Sequence, residues 1–368
     1  MGFQLYEYRE FIEIQYNSEK TLKFYYIWLR DHCRCSQCYN TKTHQISSNI
    51  LNIPINIKPS KVEIIEDNLY ITWEDKHQTT YSLPSLEKTD FPLISKREIV
   101  LWNKNNVSHF QDVKIPSKIY FENEDGPKKL LHSLLKYGFG LVTDVEPTLE
   151  ATQMVAEKIA PVQKTYFGEM WSVSNDYQFS DTAYTNVALG AHTDNTYFTE
   201  AAGLQIFHML SREGTGGETL LVDGFNVATN LKNRDKDDFE FLCKYSIESQ
   251  YIEEGNHFSN IEPVIKLHTI TKQLLQVRYN RYDRAMLQCI PQEKILQFYK
   301  AYKSFGNEVC NPINEWWLKL QPGSVLFIDN FRVLHGRAAY TGQRNLCGCY
   351  LSRVEWLSKA RTLGLNIL

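Results

Sequence analysis

The stretch Gly190-Ala-His-Thr-Asp-Asn-Thr-Tyr-Phe198 contains His192 and Asp194, which are separated by one residue. In an extended segment, side chains two positions apart point to the same side, so both can contact one ion while Thr193 points away. A distant strand can supply a third ligand, and His335 is the candidate. Two imidazoles and one carboxylate suit non-haem Fe(II) and leave positions for a co-substrate and dioxygen. The pattern predicts an oxygenase, although in a chain with 10 histidines it also fits a turn or polar core residues.

The bulk composition indicates a globular protein with a sizeable core. The 368 residues are enough for two domains, and 43% of them are hydrophobic while 23% are charged. A net charge of −3 argues against a nucleic acid or an anionic membrane as partner. The sequence has no apolar run of membrane-spanning length, and residues 1–20 lack signal or transit character. We therefore expect a cytoplasmic protein, with the mitochondrion as the alternative if a presequence is missing.

The chain is expected to divide into two domains near residue 115. Residues 1–114 contain short β-like runs, including 22–29 and a hairpin formed by 62–65 and 69–73. A polar stretch, 103–125, contains a proline and is interpreted as a linker region. Residues 115–368 then form the larger domain.

The larger domain begins with helices and continues mainly as β-structure. Helices are expected at 128–136, 149–159 and 293–303. Strands are expected at 139–145, 219–222, 274–279, 325–328 and 346–351. Many short strands with few crossover helices predict an antiparallel barrel or sandwich, such as a double-stranded β-helix (jelly roll) with flanking helices. The predicted fold class is therefore mainly β with flanking helices, plus a small N-terminal β-rich domain.

Three of the eight cysteines form a tight cluster. They are Cys33, Cys35 and Cys38. A structural zinc site needs a fourth ligand, and His77, after the 69–73 strand, is preferred because His32 is cramped beside the first cysteine; His44 is the competitor. The uneven spacing of the cysteines does not suggest a secreted disulfide framework. The cluster therefore predicts structural zinc in the small domain, with buried free thiols as the alternative.

Two further residues suit a dicarboxylate co-substrate such as 2-oxoglutarate. Its keto-acid end would chelate iron, and its far carboxylate needs a cation and a hydroxyl. Arg344, which follows His335, and Thr219, which follows a Gly-Gly turn, can supply both groups. Taken separately, each also fits a surface ion pair or a strand hydroxyl.

Strand alternation connects this arginine with an aromatic residue. If the 346–351 strand begins at Arg344, then Arg344 and Tyr350 share one of its faces, so an inward Arg344 implies an inward Tyr350. More aromatic residues, including Phe167, Trp171 and Tyr184, precede His192. Aromatic faces attract a quaternary ammonium group, at about 0.5 to 2 kcal/mol per favourable face. Because 13% of the chain is aromatic, core packing is an alternative interpretation.

Seven motifs occur together and in order along nearly the whole chain. They are WLRDHC (28–33), CYNTKTHQ (38–45), GAHTDNTYF (190–198), GTGGETLLVDGF (214–225), RYNRYDRA (278–285), IDNFRVLHGR (328–337) and LCGCYL (346–351). This set resembles the family of trimethyllysine and γ-butyrobetaine dioxygenases. The resemblance implies dependence on Fe(II), 2-oxoglutarate and ascorbate, a double-stranded β-helix core, and C3 hydroxylation of N6,N6,N6-trimethyllysine, the first step of carnitine biosynthesis.

Residue roles follow from the same resemblance. The implied iron ligands are His192, Asp194 and His335, and the implied 2-oxoglutarate arginine is Arg344. The implied trimethylammonium cage consists of Phe167, Trp171, Tyr184 and Tyr350. Phe167 is a departure, because the butyrobetaine branch has tyrosine there. The cysteine trio also departs from part of the family, since the trimethyllysine branch does not always keep every cysteine, so the zinc prediction depends on this chain's own four residues.

The amino-acid end of the substrate distinguishes the two branches. Trimethyllysine carries an α-ammonium group that butyrobetaine lacks, and Asp181, near Tyr184, could pair with it; the alternative is a solvated loop carboxylate. Asn280 is implied to contact the substrate carboxylate. The alternative functions are a γ-butyrobetaine dioxygenase and, more remotely, a non-catalytic zinc-binding interaction protein. The sequence leaves a homodimer open.

Overall fold

The computed structural model describes residues 3–89, 98–173 and 185–367. Contacts divide the chain into two compact units, Met1–Ile94 and Ser95–Leu368. The division therefore falls before the expected boundary at residue 115. None of the helices in the described ranges is both long and apolar enough to cross a membrane.

The first unit is β-rich. Its strands are β1 (Gln4–Glu7), β2 (Phe11–Gln15), β3 (Thr21–Tyr25), β4 (Tyr39–Asn40), β5 (Gln45–Ile46), β6 (Pro59–Ile65), β7 (Asn68–Trp73) and β8 (Gln78–Ser82). Its helices are α1 (Tyr26–Asp31) and α2 (Leu83–Glu87). The strands form two three-stranded sheets, β1-β2-β3 and β6-β7-β8, and the short β4-β5 pair. The expected 62–65 and 69–73 hairpin is present as β6 and β7.

One expected strand of this unit is wrong in its second half. Residues 22–29 were expected to be continuous, but the strand ends at Tyr25 and α1 follows. The buried residues of α1 are Tyr26, Leu29 and Arg30, at helical spacing. The residues after Tyr25 therefore face the core as one turn of helix.

The second unit contains the remaining strands and helices. Its strands are β9 (Lys114–Pro116), β10 (Phe139–Thr143), β11 (Met170–Val173), β12 (Leu189–His192), β13 (Leu204–Arg212), β14 (Thr219–Asp223), β15 (Ser246–Glu253), β16 (Asn256–Pro263), β17 (Ile265–Leu267), β18 (Leu274–Val277), β19 (Trp316–Leu318), β20 (Val325–Asp329), β21 (Val333–Arg337) and β22 (Arg344–Leu351). Its helices are α3 (Lys104–Val107), α4 (Ser117–Glu122), α5 (Asp125–Tyr137), α6 (Leu149–Glu157), α7 (Gly224–Arg234), α8 (Lys236–Lys244), α9 (Ile295–Val309) and α10 (Arg353–Thr362).

Two sheets build the centre of this unit. One has the order β11-β22-β13-β20-β10-β9, and the other has the order β12-β21-β14-β19. Every pairing within them is antiparallel except that of β9 with β10. One hydrophobic cluster joins Leu326 and Leu346 of the larger sheet to Leu221 and Val333 of the smaller one. The sheets therefore pack face to face as a sandwich.

Helices cover the outer faces of both sheets. Phe327, the neighbour of Leu326, points to the other side and packs with Leu130 of α5 and Trp356 of α10. On the smaller sheet, Leu334 packs with Phe298 of α9 in a further cluster. Strands β14, β20 and β21 are buried at every position for this reason. The mainly β class with flanking helices is confirmed at this level.

The expected linker at 103–125 is wrong. It contains α3, β9 and α4, and the preceding Trp102 is buried in the second unit. The backbone N–H of Trp102 donates to Asp223 Oδ2 at 3.1 Å, and its indole N–H donates to the carbonyl of Tyr137 at 2.7 Å. Widely spaced apolar anchors such as Val107 and Val113 are also buried. The polar residues between these anchors lie on exposed surfaces, which gave the sequence its linker-like composition.

Candidate active site

His192 and His335 are direct cross-strand partners in the smaller sheet. His192 ends β12 and His335 lies in β21, and their ring centroids are 4.4 Å apart. The Nδ1 atom of His192 lies 2.8 Å from the carbonyl of Gly190. Donation of an Nδ1 proton to that carbonyl leaves Nε2 as the ligand atom. The expectation that a distant strand supplies the second imidazole therefore agrees with the register.

Asp194 completes the cluster with Oδ1. This atom lies 3.2 Å from His192 Nε2 and 3.6 Å from His335 Nε2. Three such atoms can occupy one face of a metal ion and leave the opposite face open. Thr193 points away, as expected, because its hydroxyl accepts the backbone N–H of Tyr279 at 3.1 Å. The donor set and its spacing fit iron(II).

Two side chains hold Asp194 in position. The amide of Asn330 accepts the backbone N–H of Asp194 at 2.8 Å and donates to its carbonyl at 3.0 Å. The hydroxyl of Tyr350 donates to Oδ2 at 2.9 Å. Oδ2 of Asp194 therefore accepts a hydrogen bond from the protein, and Oδ1 faces the two imidazoles.

Electrostatics keep these groups in metal-binding forms. Burial lowers the pKa of His335 to about 3, so this imidazole is neutral. Burial raises the pKa of Asp194, but His335, His192 and Tyr350 together bring it well below its usual range. Burial lowers the pKa of His192, whereas the hydrogen bond and charge of Asp194 raise it above the usual value. Because metal ligands must be deprotonated, metal binding here would compete with protonation of His192.

The three residues open into one cavity of about 1010 Å³, its mouth included. One part of the lining is cationic and contains Arg337 and Arg344. Desolvation and the charges of Arg337 and Arg212 lower the pKa of Arg344 to about 10. Arg344 is 6% exposed, and its Nε has no hydrogen-bond partner among the described residues. A buried cation with an unused donor fits the far carboxylate of 2-oxoglutarate.

Thr219 lies beside these arginines. It pairs with Arg337 across β14 and β21, two positions before Leu221, the partner of His335. Thr219 therefore lies on the same face of the sheet as His335, one of the three candidate metal ligands. The Gly217 φ of 69° requires glycine, and a Cβ there would meet Arg344 Cδ at 3.2 Å. The Gly-Gly turn thus permits the close approach of Arg344 to β14.

Aromatic residues form another part of the lining. Trp171 and Tyr350 have ring centroids 5.8 Å apart, and Phe167 also lines the cavity. Trp171 lies across Gly348, where a Cβ would meet the indole at 2.4 Å. As alternation predicts, Arg344 and Tyr350 both face the cavity. These surfaces fit a quaternary ammonium group.

Three expected substrate residues remain: Asp181, Tyr184 and Asn280. Asp181 and Tyr184 lie outside the described residues. Asn280 lines the cavity, but its amide already accepts the backbone N–H of Tyr282 at 2.9 Å and donates to Asp283 Oδ2 at 2.6 Å. Within the described ranges the second amide hydrogen of Asn280 makes no hydrogen bond, so it can be donated to a substrate.

The cysteine trio and His77 come together in the first unit. His77 Nε2 lies 3.3, 3.6 and 3.5 Å from the sulfur atoms of Cys33, Cys35 and Cys38. A tetrahedral zinc ion with ordinary bond lengths separates S and N ligands by about 3.6 Å. Asp75 fixes the histidine, since its Oδ1 accepts the backbone N–H of His77 at 2.9 Å. The four side chains thus fit a closed zinc site.

Comparison with known proteins identifies the family. Residues 103–350 match the model of the taurine catabolism dioxygenase TauD, TfdA family, and residues 4–87 match that of gamma-butyrobetaine hydroxylase-like N-terminal regions. The chain is 42% identical to mitochondrial trimethyllysine dioxygenase of Mus musculus, over 98% of this chain and 87% of that one. The chain belongs to the trimethyllysine dioxygenase family. Gamma-butyrobetaine dioxygenase of Homo sapiens is 26% identical, over 95% of this chain and 92% of that one.

A solved structure supports the fold of this trimethyllysine dioxygenase family member. The structure of AAD-2 in complex with Mn(II) and N-oxalylglycine matches with a TM-score of 0.51 at 13% identity. The match covers 62% of this chain and 89% of that chain. The covered part of this chain therefore has the same fold as that protein.

Several residues that shape the site were not singled out from the sequence. Asn330, Arg337 and Gly348 lie within the quoted motifs, but no residue-type argument assigned them a role. Their functions depend on contacts between distant segments: Asn330 clamps Asp194, and Gly348 makes room for Trp171. The available signal for Asn330 was its position as a polar residue between the apolar run 325–328 and the segment that contains His335.

Proposed function

We propose that this chain is an Fe(II)- and 2-oxoglutarate-dependent dioxygenase that hydroxylates N6,N6,N6-trimethyl-L-lysine at C3, the first step of carnitine biosynthesis. The observation that carries this proposal is the meeting of His192, Asp194 and His335 in a cavity with a cationic part and an aromatic part. The identity of 42% to a trimethyllysine dioxygenase supports the substrate.

Each part of the cavity has a role in the proposed reaction. His192, Asp194 and His335 hold iron, and Arg344 with Thr219 binds the far carboxylate of 2-oxoglutarate. Phe167, Trp171, Tyr350 and, from the sequence, Tyr184 surround the trimethylammonium group. When bound, iron with 2-oxoglutarate and dioxygen supplies the oxidation that yields succinate, CO2 and the hydroxylated substrate. The protein positions C3 and excludes water.

Further components belong to the same proposal. The two sheets of the larger unit form a double-stranded β-helix, and Cys33, Cys35, Cys38 and His77 hold a structural zinc ion. Ascorbate serves as the reductant that keeps iron in the Fe(II) state. The mouse relative is named as mitochondrial, which favours that compartment over the cytoplasm; fractionation of cells from the source organism tests this point.

A side-by-side assay tests the function. Purified enzyme receives Fe(II), 2-oxoglutarate, ascorbate and either trimethyllysine or γ-butyrobetaine, and products are measured by mass spectrometry. The proposal expects 3-hydroxytrimethyllysine and an equal amount of succinate, neither of which forms under nitrogen. Asp194→Ala should abolish both products, while Asp237→Ala, on the exposed surface of α8, serves as the matched control. Preferred hydroxylation of butyrobetaine would assign the chain to the alternative function.

A further inference from the structure

Asp283 brings a second carboxylate to the cavity. Among the described residues that line it, the acidic side chains are Asp194 and Asp283. Asp194 is one of the three proposed metal ligands, so a bound metal ion would neutralise its charge. Asp283 lines the cavity together with His192, and the ring of its neighbour Tyr282 lies edge-on to His192 with ring centroids 6.0 Å apart.

The side chain of Asp283 is held by neighbours. Its Oδ2 accepts hydrogen bonds from Asn280 Nδ2 at 2.6 Å and from Thr196 Oγ1 at 3.3 Å. Its backbone carbonyl accepts the N–H of Gln250 in β15 at 2.7 Å. Ordered neighbours reduce the entropy that a side chain loses on binding a ligand. Asp283 is therefore a preorganised anionic group.

The same hairpin supports the aromatic part of the cavity. Tyr251, the residue after Gln250, has its ring centroid 5.6 Å from that of Phe167 and 5.2 Å from that of Tyr197. Two adjacent residues of β15 thus support the two parts of the cavity: Gln250 holds Asp283, and Tyr251 packs against the aromatic residues. A ligand that carries two positive charges on one chain would meet both groups.

Among the described residues that line the cavity, the arginines lie on other elements than Asp283. Arg337 and Arg344 are next to Thr219, on β21, β22 and β14, whereas Asp283 belongs to the loop after β18. The arginines therefore attract the dianionic co-substrate to one part of the cavity, and Asp283 attracts an ammonium group to another part. Like-charge repulsion also opposes entry of the substrate into the co-substrate position.

We propose that Asp283 receives the α-ammonium group of the substrate and thereby determines the choice of trimethyllysine over butyrobetaine. The inference rests on the proposed function. Butyrobetaine has no α-ammonium group and gains nothing from this carboxylate. Asn280 acts as a positioning residue, because it ties Asp283 to the backbone of Tyr282. Asp181, the residue expected from the sequence for this contact, is the competing acceptor.

The test combines two enzymes with two substrates. Wild type and Asp283→Asn are compared on trimethyllysine and on its des-amino analogue, 6-(trimethylammonio)hexanoate. An ammonium–carboxylate hydrogen bond predicts that the variant loses roughly tenfold to a hundredfold in kcat/KM for trimethyllysine, mainly through KM. The analogue should be almost unaffected. Calorimetric titration of trimethyllysine into Mn(II)-loaded enzyme with N-oxalylglycine should show the same loss in Kd.

Matched variants separate the outcomes. Asp283→Glu keeps the charge and should retain the preference for trimethyllysine, and Asp283→Ser replaces the Asn variant if that variant does not fold. An equal loss on both substrates would assign Asp283 a structural role and overturn the proposal. Loss of discrimination in Asp181→Asn, with none in Asp283→Asn, would overturn it in favour of Asp181. If wild type hydroxylates neither substrate, the proposed function itself fails.

Discussion

The hydroxyl of Tyr350 donates a hydrogen bond to Asp194 Oδ2 across 2.9 Å. Tyr350 lies in β22 of the larger sheet, whereas Asp194 follows β12 of the smaller one. The bond therefore connects the two sheets at the proposed metal site. Tyr350 combines two roles, since its ring lines the cavity beside Trp171 while its hydroxyl orients Asp194, a proposed metal ligand.

We expect Tyr350→Phe to weaken metal binding while it leaves the aromatic surface intact. Loss of a hydrogen bond to a ligating carboxylate typically costs tenfold to a hundredfold in metal affinity, so a reduction of roughly that size is predicted. Anaerobic titration with Fe(II), or with Mn(II) as a stable substitute, measures it. Tyr302→Phe is the control, because the Tyr302 hydroxyl makes no hydrogen bond within the described residues. Unchanged affinity in Tyr350→Phe would show that the hydroxyl does not orient Asp194.

The inward position of Tyr350 could be predicted from the sequence, but its bond to Asp194 could not. Alternation along a strand is a local property, so placing Arg344 on the cavity face placed Tyr350 there as well. The hydrogen bond depends on how two sheets meet. The same reason explains why Asn330, which clamps Asp194 from a turn after β20, was not identified as a site residue.

We expect Arg344→Met to impair recognition of the co-substrate carboxylate. Removal of one partner of a buried charge pair typically costs about 2 to 5 kcal/mol, which predicts a rise of at least roughly thirtyfold in KM for 2-oxoglutarate. The wild type should also prefer 2-oxoglutarate to 2-oxobutyrate, which lacks the far carboxylate, and the variant should lose that preference. Steady-state succinate or CO2 release measures both effects.

The exposed residue Arg361 of α10 provides the matched control as Arg361→Met. A variant of Arg344 that keeps the preference for 2-oxoglutarate would move the carboxylate contact to Arg337. That arginine lines the same cavity, but it already donates a hydrogen bond to the carbonyl of Val187 at 3.0 Å.

The affinity of the first unit for zinc should depend on pH. Burial and the neighbouring Cys33 and Cys35 raise the pKa of Cys38 to about 11, so this thiol is protonated without metal at neutral pH. Zinc must displace that proton, and its affinity should therefore fall as pH decreases. Competition with a chromophoric chelator at pH 8 and pH 6.5 measures the change. Binding without pH dependence would exclude thiolate ligation.

Cysteine variants test the ligand set directly. Cys38→Ser should lose bound zinc in elemental analysis, whereas Cys310→Ser should keep it because Cys310 is an exposed cysteine of the other unit.

The zinc ligands differ in how far residue spacing alone could predict them. The local spacing of the three cysteines is enough to indicate a metal site. His77 lies more than thirty positions away, so it had to be chosen over His32 and His44 on steric grounds.

Acid should destabilise the second unit through His208. This residue of β13 is fully buried; its Nδ1 lies 2.7 Å from Thr152 Oγ1, and its Nε2 has no hydrogen-bond partner among the described residues. Burial lowers the pKa of His208 to about 4. An unfolded chain binds a proton at this residue below about pH 6.5, whereas the folded chain does not until about pH 4. The stability is complete above pH 6.5, and roughly 3 kcal/mol of it is lost as pH falls to 4.

Urea unfolding of wild type and His208→Gln at pH 7 and pH 5 isolates this contribution. Glutamine does not titrate, so the free energy of unfolding of the variant should fall less between the two pH values than that of wild type, whatever the absolute cost of the substitution. His132→Gln, at an exposed position of α5, controls for loss of a histidine as such. Equal pH dependence in wild type and His208→Gln would mean that His208 takes up its proton in the folded chain, which requires an acceptor for Nε2 within the core.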